Sequence, residues 1–355
     1  MQYDLIEDTK VDFGDLANCV YAPWHAKDPQ YNVIPIPEVQ PTHVVFDSSF
    51  DAFNAYPESK ENEAKPFTSM SAWFMNMPLI QDVKGFEYIY DGITDFSLTF
   101  CLYGYSNNDK ALVNDNPNAI TVLDLTNFKQ NNLANVVGTF CNSLFSQIII
   151  PQGFAPKSTS FGTRYVLAGI GETYMSLFYG CKASKIEILG PIGAGVKDFT
   201  ALYGECSGLK TFADAGIDKI DFSKAEIVDE MFAKSQFSSI TIPESLKTST
   251  TIKSMSNLFY NANASNIDLT GLDTSNVTNM EYMFYRCFNV DTIDLSALNL
   301  ASVTDTSYMF DTLDSSTKLE CVKFPNDANK TFQKLEKMDS MFEDCGSLKT
   351  IESIN

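Results

Sequence analysis

One stretch of this chain, VTNMEYMFYRCFNVDTIDL at 277–295, recurs along it, and that recurrence limits the possible folds more than any other feature. A unit this short cannot bury an apolar face alone. It must stack on copies of itself, so the core grows along one axis. Within the unit, Val277, Met280, Met283 and Phe284 fall at i, i+3, i+6 and i+7, the spacing of one face of a short helix. Thr274, Ser275 and Asn276, just ahead, are residue types that cap helix N-termini. Cys287, Val290, Ile293 and Leu295 follow. The alternation Ile293-Asp294-Leu295 predicts a short strand with two side chains inward and one outward.

Aligned on the aromatic of the Met-Phe pair, the frame returns at Phe74, Phe100, Phe140, Phe178, Tyr203, Phe232, Phe259, Phe284, Phe310 and Phe342. The intervals run from about 25 to 40 residues, the range of repeat architectures. The fold class read from this is α/β: a solenoid of short parallel strands, each followed by a turn and a short helix, about ten coils long. Residues 1–43 do not fit the frame and carry Trp24, Pro29, Pro35, Pro37 and Pro41. An open end would expose its first apolar layer, so this segment is read as an N-terminal cap and 44–355 as the array. The first helix is placed at Phe67–Phe74. Insertions interrupt the array near 104–119, rich in Asn and Asp, and near 151–172, which carries Phe154, Phe161, Arg164 and Tyr165. No polar closing unit follows Ile351, so the expectation is that the array continues beyond residue 355.

Composition narrows the partners. With 25 Lys and Arg against 45 Asp and Glu, the net charge of −20 argues against nucleic acid and anionic membrane surfaces. No run approaches the roughly 18 apolar residues of a membrane helix, and MQYDLIEDTK is not a signal peptide. The two histidines, His25 and His43, both precede the repeats, and no nucleophile elbow, zincin, phosphate-loop or dinucleotide motif occurs. The expectation is a non-enzyme with neither cofactor nor metal. Cys181, Cys206, Cys287 and Cys345 each sit three residues after an anchor aromatic, one inward column that fits small buried hydrophobes better than a metal or redox ladder. Cys19, Cys101, Cys141 and Cys321 lie off that column, and a disulfide among them stays open.

Two sets of candidate binding residues emerge. The outward strand residue is acidic in five units, namely Asp124, Glu187, Asp221, Asp268 and Asp294. These make either an acidic strip suited to a basic protein patch or a cation, or an exposed polar position that keeps the strand soluble and in register. On adjacent strands, Asp268 and Asp294 would stand side by side and repel. The second set is Phe154, Phe161 and Tyr165 of the second insertion, which could stack on a sugar.

The residues DTSNVTNMEYMFYRC at 273–287, followed by IDLSALNLASVTDTSYMF, resemble the BspA-like leucine-rich-repeat surface proteins, whose unit reads approximately LDLSNFDTSNVTNMSYMFYGCSSLTSI. The likeness runs from about Val44 to the C-terminus and is closest at 266–310 and 127–140. It departs at both insertions, at Tyr203 and Ser235, and over 1–43. The resemblance implies a leucine-rich-repeat-like solenoid on a bacterial cell surface, or secreted, adhering to a host or bacterial protein without catalysis. The family shares no ligand-binding motif, so it assigns no functional residue. A carbohydrate-binding accessory using the aromatic insertion, and a structural spacer, remain the alternatives.

Overall fold

In the computed structural model the described residues are 43–47, 68–102 apart from 76, 78, 79 and 81, 122–167, 171–313 and 317–352. The expected cap at 1–43, His43 excepted, and the insertion near 104–119 lie outside them. Strands dominate and are short: β1 (His43–Val45), β2 (Asp82–Lys84), β3 (Val122–Asp124), β4 (Gln147–Ile150), β5 (Gly162–Leu167), β6 (Gly171–Ser176), β7 (Lys185–Ile188), β8 (Ile240–Thr241), β9 (Ile267–Asp268), β10 (Thr292–Asp294), β11 (Cys321–Lys323) and β12 (Thr350–Glu352). Helix is sparse among the described residues: α1 (Phe212–Ala215), α2 (Glu244–Lys247) and two 3-10 turns. The strands form small parallel sheets, β1-β2, β3-β4-β7, β8-β9 and β10-β11-β12, plus one antiparallel hairpin, β5-β6. The architecture is an α/β arrangement dominated by strand, and the described sheets do not close into a barrel.

The inward positions read from the repeat are buried, but the backbone that carries them is not helical. Val277, Met280, Met283, Phe284, Cys287, Val290, Ile293 and Leu295 are all in the core. Tyr282 and Arg286, however, have φ of 56° and 57°, in the left-handed region, and an α-helix cannot pass through such residues. Alternate N–H groups leave the unit instead. Those of Met280, Tyr282, Phe284 and Arg286 donate to the carbonyls of Asp305, Ser307, Met309 and Asp311 in the next unit, at 2.9–3.0 Å. The intervening N–H groups of Met283, Tyr285 and Cys287 close local turns onto Met280, Tyr282 and Phe284. The predicted helix is therefore a run of turns, and its 3-and-4 spacing of apolar residues marks the inward side of that run. Thr274 is likewise no helix cap. It is buried, and its hydroxyl donates to the Asn299 carbonyl and accepts the Asn299 N–H, both at 2.8 Å, tying one unit to the next.

The same pattern repeats along the chain. Positive φ falls two residues before and two after the anchor at Ala201 and Glu205, Glu230 and Lys234, Asn257 and Asn261, and Ser340 and Asp344. Single parallel bridges link Ser69, Asp95 and Asn135, and separately Ser160, Asp198, Ile227, Ser254, Asn279, Asp305 and Lys337. The ten anchor rings form one continuous stack from Phe74 to Phe342, with neighbouring centroids 5.1–6.4 Å apart. Tyr203 fits this column because its hydroxyl donates to the Ala215 carbonyl at the end of α1, at 2.9 Å. The cysteine column packs beside it. The thiols of Cys206, Cys287 and Cys345 donate to the carbonyls of Phe178, Phe259 and Phe310 at 3.0–3.1 Å. Burial pushes the Cys287 thiol up to about 12, which keeps it a neutral donor. Cys101, Cys141 and Cys321 are free thiols; Cys19 lies outside the described residues.

The second insertion sits further along than expected. Phe161 occupies a core slot equivalent to Phe199, since its N–H donates to the Asp198 carbonyl at 2.9 Å just as that of Phe199 donates to Ile227 at 3.0 Å. The ladder resumes at Leu177, whose N–H donates to the Phe161 carbonyl at 2.8 Å. What is inserted between them is the β5-β6 hairpin.

Candidate functional site

The acidic outward residues, of which Asp221 lies in no described strand, are held by the backbone beside them. Asp124, Asp221, Asp268 and Asp294 each accept the N–H two residues ahead, from Thr126, Ser223, Thr270 and Ser296, at 2.8–2.9 Å. A short carboxylate that closes a turn this way satisfies a donor the strand would otherwise leave open at its end. The hydrogen bonds from Thr270 hold the Asp268 carboxyl below the usual range. Glu187 differs: it pairs with Lys185 at 3.0 Å and accepts from Gln147 Nε2 at 3.1 Å.

These residues do not form one strip. Asp124 and Glu187 both neighbour Ile149, Asp268 neighbours Thr241, and Asp294 neighbours Lys323. The expected Asp268–Asp294 pairing is absent among the described strands: β9 and β10 lie in separate sheets. The aromatic set is also dispersed. Phe154 and Phe161 are 3% and 0% exposed and meet Phe96 and Phe199 edge-on, so their faces are closed to a sugar. Tyr165 lies in β5 opposite Thr173.

The hairpin creates the first notable surface feature. The Tyr174 hydroxyl donates to Glu230, and Lys234 pairs with Glu205 at 2.6 Å. Burial raises the carboxyls of both Asp229 and Glu230, and raises the Tyr179 phenol well above its ordinary range. Close by, the bridge ladder is interrupted between Asn135 and Ser160. A cleft of about 400 Å³ opens there, lined by Ser97, Leu98, Asn135, Ser160, Thr163 and Asp198. Beside it the hydroxyls of Ser158 and Ser160 donate to the carbonyls of Ser160 and Gly162. Among the described residues no group of three or more His, Cys, Asp or Glu is placed to hold a metal ion.

The second feature is a row of tyrosines on the outside of the turns. Tyr282 stacks on Tyr308 with centroids 4.7 Å apart and planes 4° from parallel, and Tyr260 stacks on Tyr285 at 5.0 Å and 13°. Tyr282 meets Tyr285 edge-on at 5.1 Å, which joins the two pairs. The sequence places them regularly, one residue after the anchor at Tyr260 and Tyr285 and two before it at Tyr282 and Tyr308. The latter two are left-handed positions. Tyr260, Tyr282 and Tyr308 are partly exposed. Reading the unit as a helix hid this row, since it assigned no outward column to those positions.

Residues 197–320 and 228–354 match the model of a family described as Mycoplasma protein of unknown function, DUF285, so this part of the chain is similar to that family. No curated protein and no solved structure matches the chain.

Proposed function

We propose that this chain is a non-catalytic binding module that recognises a protein through the tyrosine row on the outer face of its turns. The observation that carries the reading is the row itself, in which Tyr260, Tyr282 and Tyr308 of three consecutive units are partly exposed and Tyr285 is buried beneath them as the ring that joins them. Tyrosine offers a large rigid contact area at little entropic cost and is enriched at the centres of protein interfaces. In this reading the chain is a leucine-rich-repeat-like solenoid of about ten coils. The continuous ring stack and the repeated register of the bridges support it. The repeat's resemblance to BspA-like surface proteins supports display on a bacterial cell surface, facing a host or bacterial protein. No helix among the described residues is long and apolar enough to cross a membrane.

The test is binding of the purified chain to immobilised matrix and surface proteins, beside a Tyr282→Ala/Tyr308→Ala variant that melts at the wild-type temperature. A protein that binds the wild type and loses at least tenfold with the variant supports the reading. Binding that the variant retains places the interface elsewhere and refutes it.

A further inference from the structure

We propose that the tyrosine row is a receptor for cationic side chains, so that the partner presents arginine or lysine to Tyr282 and Tyr308. This rests on the reading of that face as the binding surface and names the chemistry of what it takes.

The face of a tyrosine ring is electron-rich and attracts a cation held over it. The chain already uses that attraction at one end of the row, where the Lys234 ammonium lies 5.9 Å from the Tyr260 ring centre. Next to the row, the Arg286 guanidinium lies 5.1 Å from the Phe288 ring centre. No described cation covers Tyr282 or Tyr308 in this way. The Tyr282–Tyr308 pair belongs to a different column from Tyr260 and offers further tyrosine faces in the same row with no described cation over them.

Charge around the pair is mainly acidic, with Arg164 and Lys337 acting on Glu281. Glu281 precedes Tyr282, and Asp311, Glu343 and Asp344 gather at the Tyr285 side, where they act on one another and on the Tyr285 phenol. Arg286 is the cation facing Asp311, while Lys337 is engaged by Asp305 at 3.2 Å. A cationic partner would relieve that crowding. A second observation is polar and local. Ser307 is 4% exposed, its N–H donates to Asp305 Oδ1 at 3.0 Å, and its carbonyl holds the Tyr282 N–H at 2.9 Å. It sits in the ladder directly beside Tyr308. The buried Nε of Arg286 is without a partner. A guanidinium suits this setting better than an ammonium, because it stacks flat on a ring while its edge donates to a carboxylate or hydroxyl.

The experiment uses three synthetic probes: a Gly-Ser peptide carrying spaced arginines, the same peptide with citrulline, and the same peptide with lysine. Their binding is measured by fluorescence anisotropy to the wild type, to Tyr282→Ala/Tyr308→Ala and to Tyr282→Phe/Tyr308→Phe. The arginine peptide is expected to bind best, with citrulline at least tenfold weaker. The alanine variant should lose about tenfold, and the phenylalanine variant should stay within about threefold of wild type. Arginine binding that the alanine variant retains in full would reflect net charge alone and overturn the proposal. So would citrulline binding as tightly as arginine. If a protein partner depends on Tyr282 and Tyr308 while arginine and citrulline probes are indistinguishable, the cation proposal falls and the binding face stands. If the arginine probe depends on the two rings but no protein does, the reverse holds.

Discussion

Phe284→Ala tests the stacked core most directly. The ring is 1% exposed and lies between Phe259 at 5.4 Å and Phe310 at 5.6 Å, nearly parallel to the latter. Truncating a fully buried phenylalanine costs about 3–5 kcal/mol through lost transfer energy and the cavity left behind. Two aromatic neighbours, each contributing about 0.5–1.5 kcal/mol beyond area, place this site in the upper half of that range. The expected loss is about 4–5 kcal/mol, measured by urea unfolding followed by far-UV circular dichroism. Phe342 is the internal control. It is partly exposed and stacks on Phe310 alone among the described anchors, so Phe342→Ala should cost about half as much. In a stack of units each contacting its neighbours, a mid-array cavity can also uncouple the two sides, which would appear as a reduced m-value. A loss below about 1 kcal/mol for Phe284→Ala, or equal losses at the two sites, would refute the one-dimensional stack.

Other changes separate backbone roles from side-chain roles. Asp268→Asn keeps an oxygen that accepts the Thr270 N–H and should alter stability by under about 0.5 kcal/mol, whereas Asp268→Ala should cost about 1 kcal/mol; a large loss with asparagine would mean the charge itself is needed. Ala201→Gly, at a φ of 54°, relieves a left-handed strain but removes a fully buried methyl, so stability should change by under about 1 kcal/mol, while Gly180→Ala should clearly destabilise, because its Cβ would fall 2.0 Å from Asn142 Oδ1. Thermal melts of both variants check this, and matching shifts would contradict it. Burial holds the Glu230 carboxyl above its ordinary value, so its folded form is favoured below pH of about 4 and that advantage is lost as pH rises through the raised value. Glu230→Gln should therefore melt higher than wild type at pH 7, with the gap closing on acidification; a gap independent of pH would refute the assignment.

The sequence made the column structure legible because burial depends on which side chains face inward, and that periodicity survives any backbone that presents them. All ten anchors and the Cys206 and Cys287 positions follow from it. The backbone itself was not legible. Left-handed residues are usually recognised by glycine, and here the position is filled by Ala201, Glu230, Asn257, Tyr282 and Tyr308. Their strain is offset by N–H groups that reach the next unit, an interaction between residues about 25 apart that no local pattern reveals. Phe161 was assigned to the second insertion for a related reason. Phe161 looks like a loop aromatic by its Gly and Ser neighbours, yet its N–H and ring belong to the ladder. The strand carboxylates were correctly located as outward residues, but their engagement with the following N–H could not be seen from the alternation alone.

The outward columns thus divide by what the fold requires of them. At strand ends and bridge positions a short polar side chain is needed to close the next turn, as Asp198, Asn279 and Asp305 do for Thr200, Glu281 and Ser307 at 2.9–3.0 Å. Two residues before the anchor the left-handed backbone accepts a buried side chain, as at Ala201, or partly exposed ones, as at Asn257, Tyr282 and Tyr308, and the latter are available to recognition. Asn257 occupies that column next to Tyr282 and has a φ of 56°, matching the tyrosines that follow. Asn257→Tyr should fold with a loss under about 1 kcal/mol, since the left-handed cost is already borne by Tyr282 and Tyr308 in the same setting. It forfeits one hydrogen bond, from Asn257 Nδ2 to Ser256 Oγ at 2.8 Å. The added ring lengthens the row by one unit and should tighten binding of the arginine peptide about threefold or more. Unfolding of this variant would show that the column constrains its side chains after all. Normal folding with unchanged affinity would confine recognition to the Tyr282–Tyr308 pair.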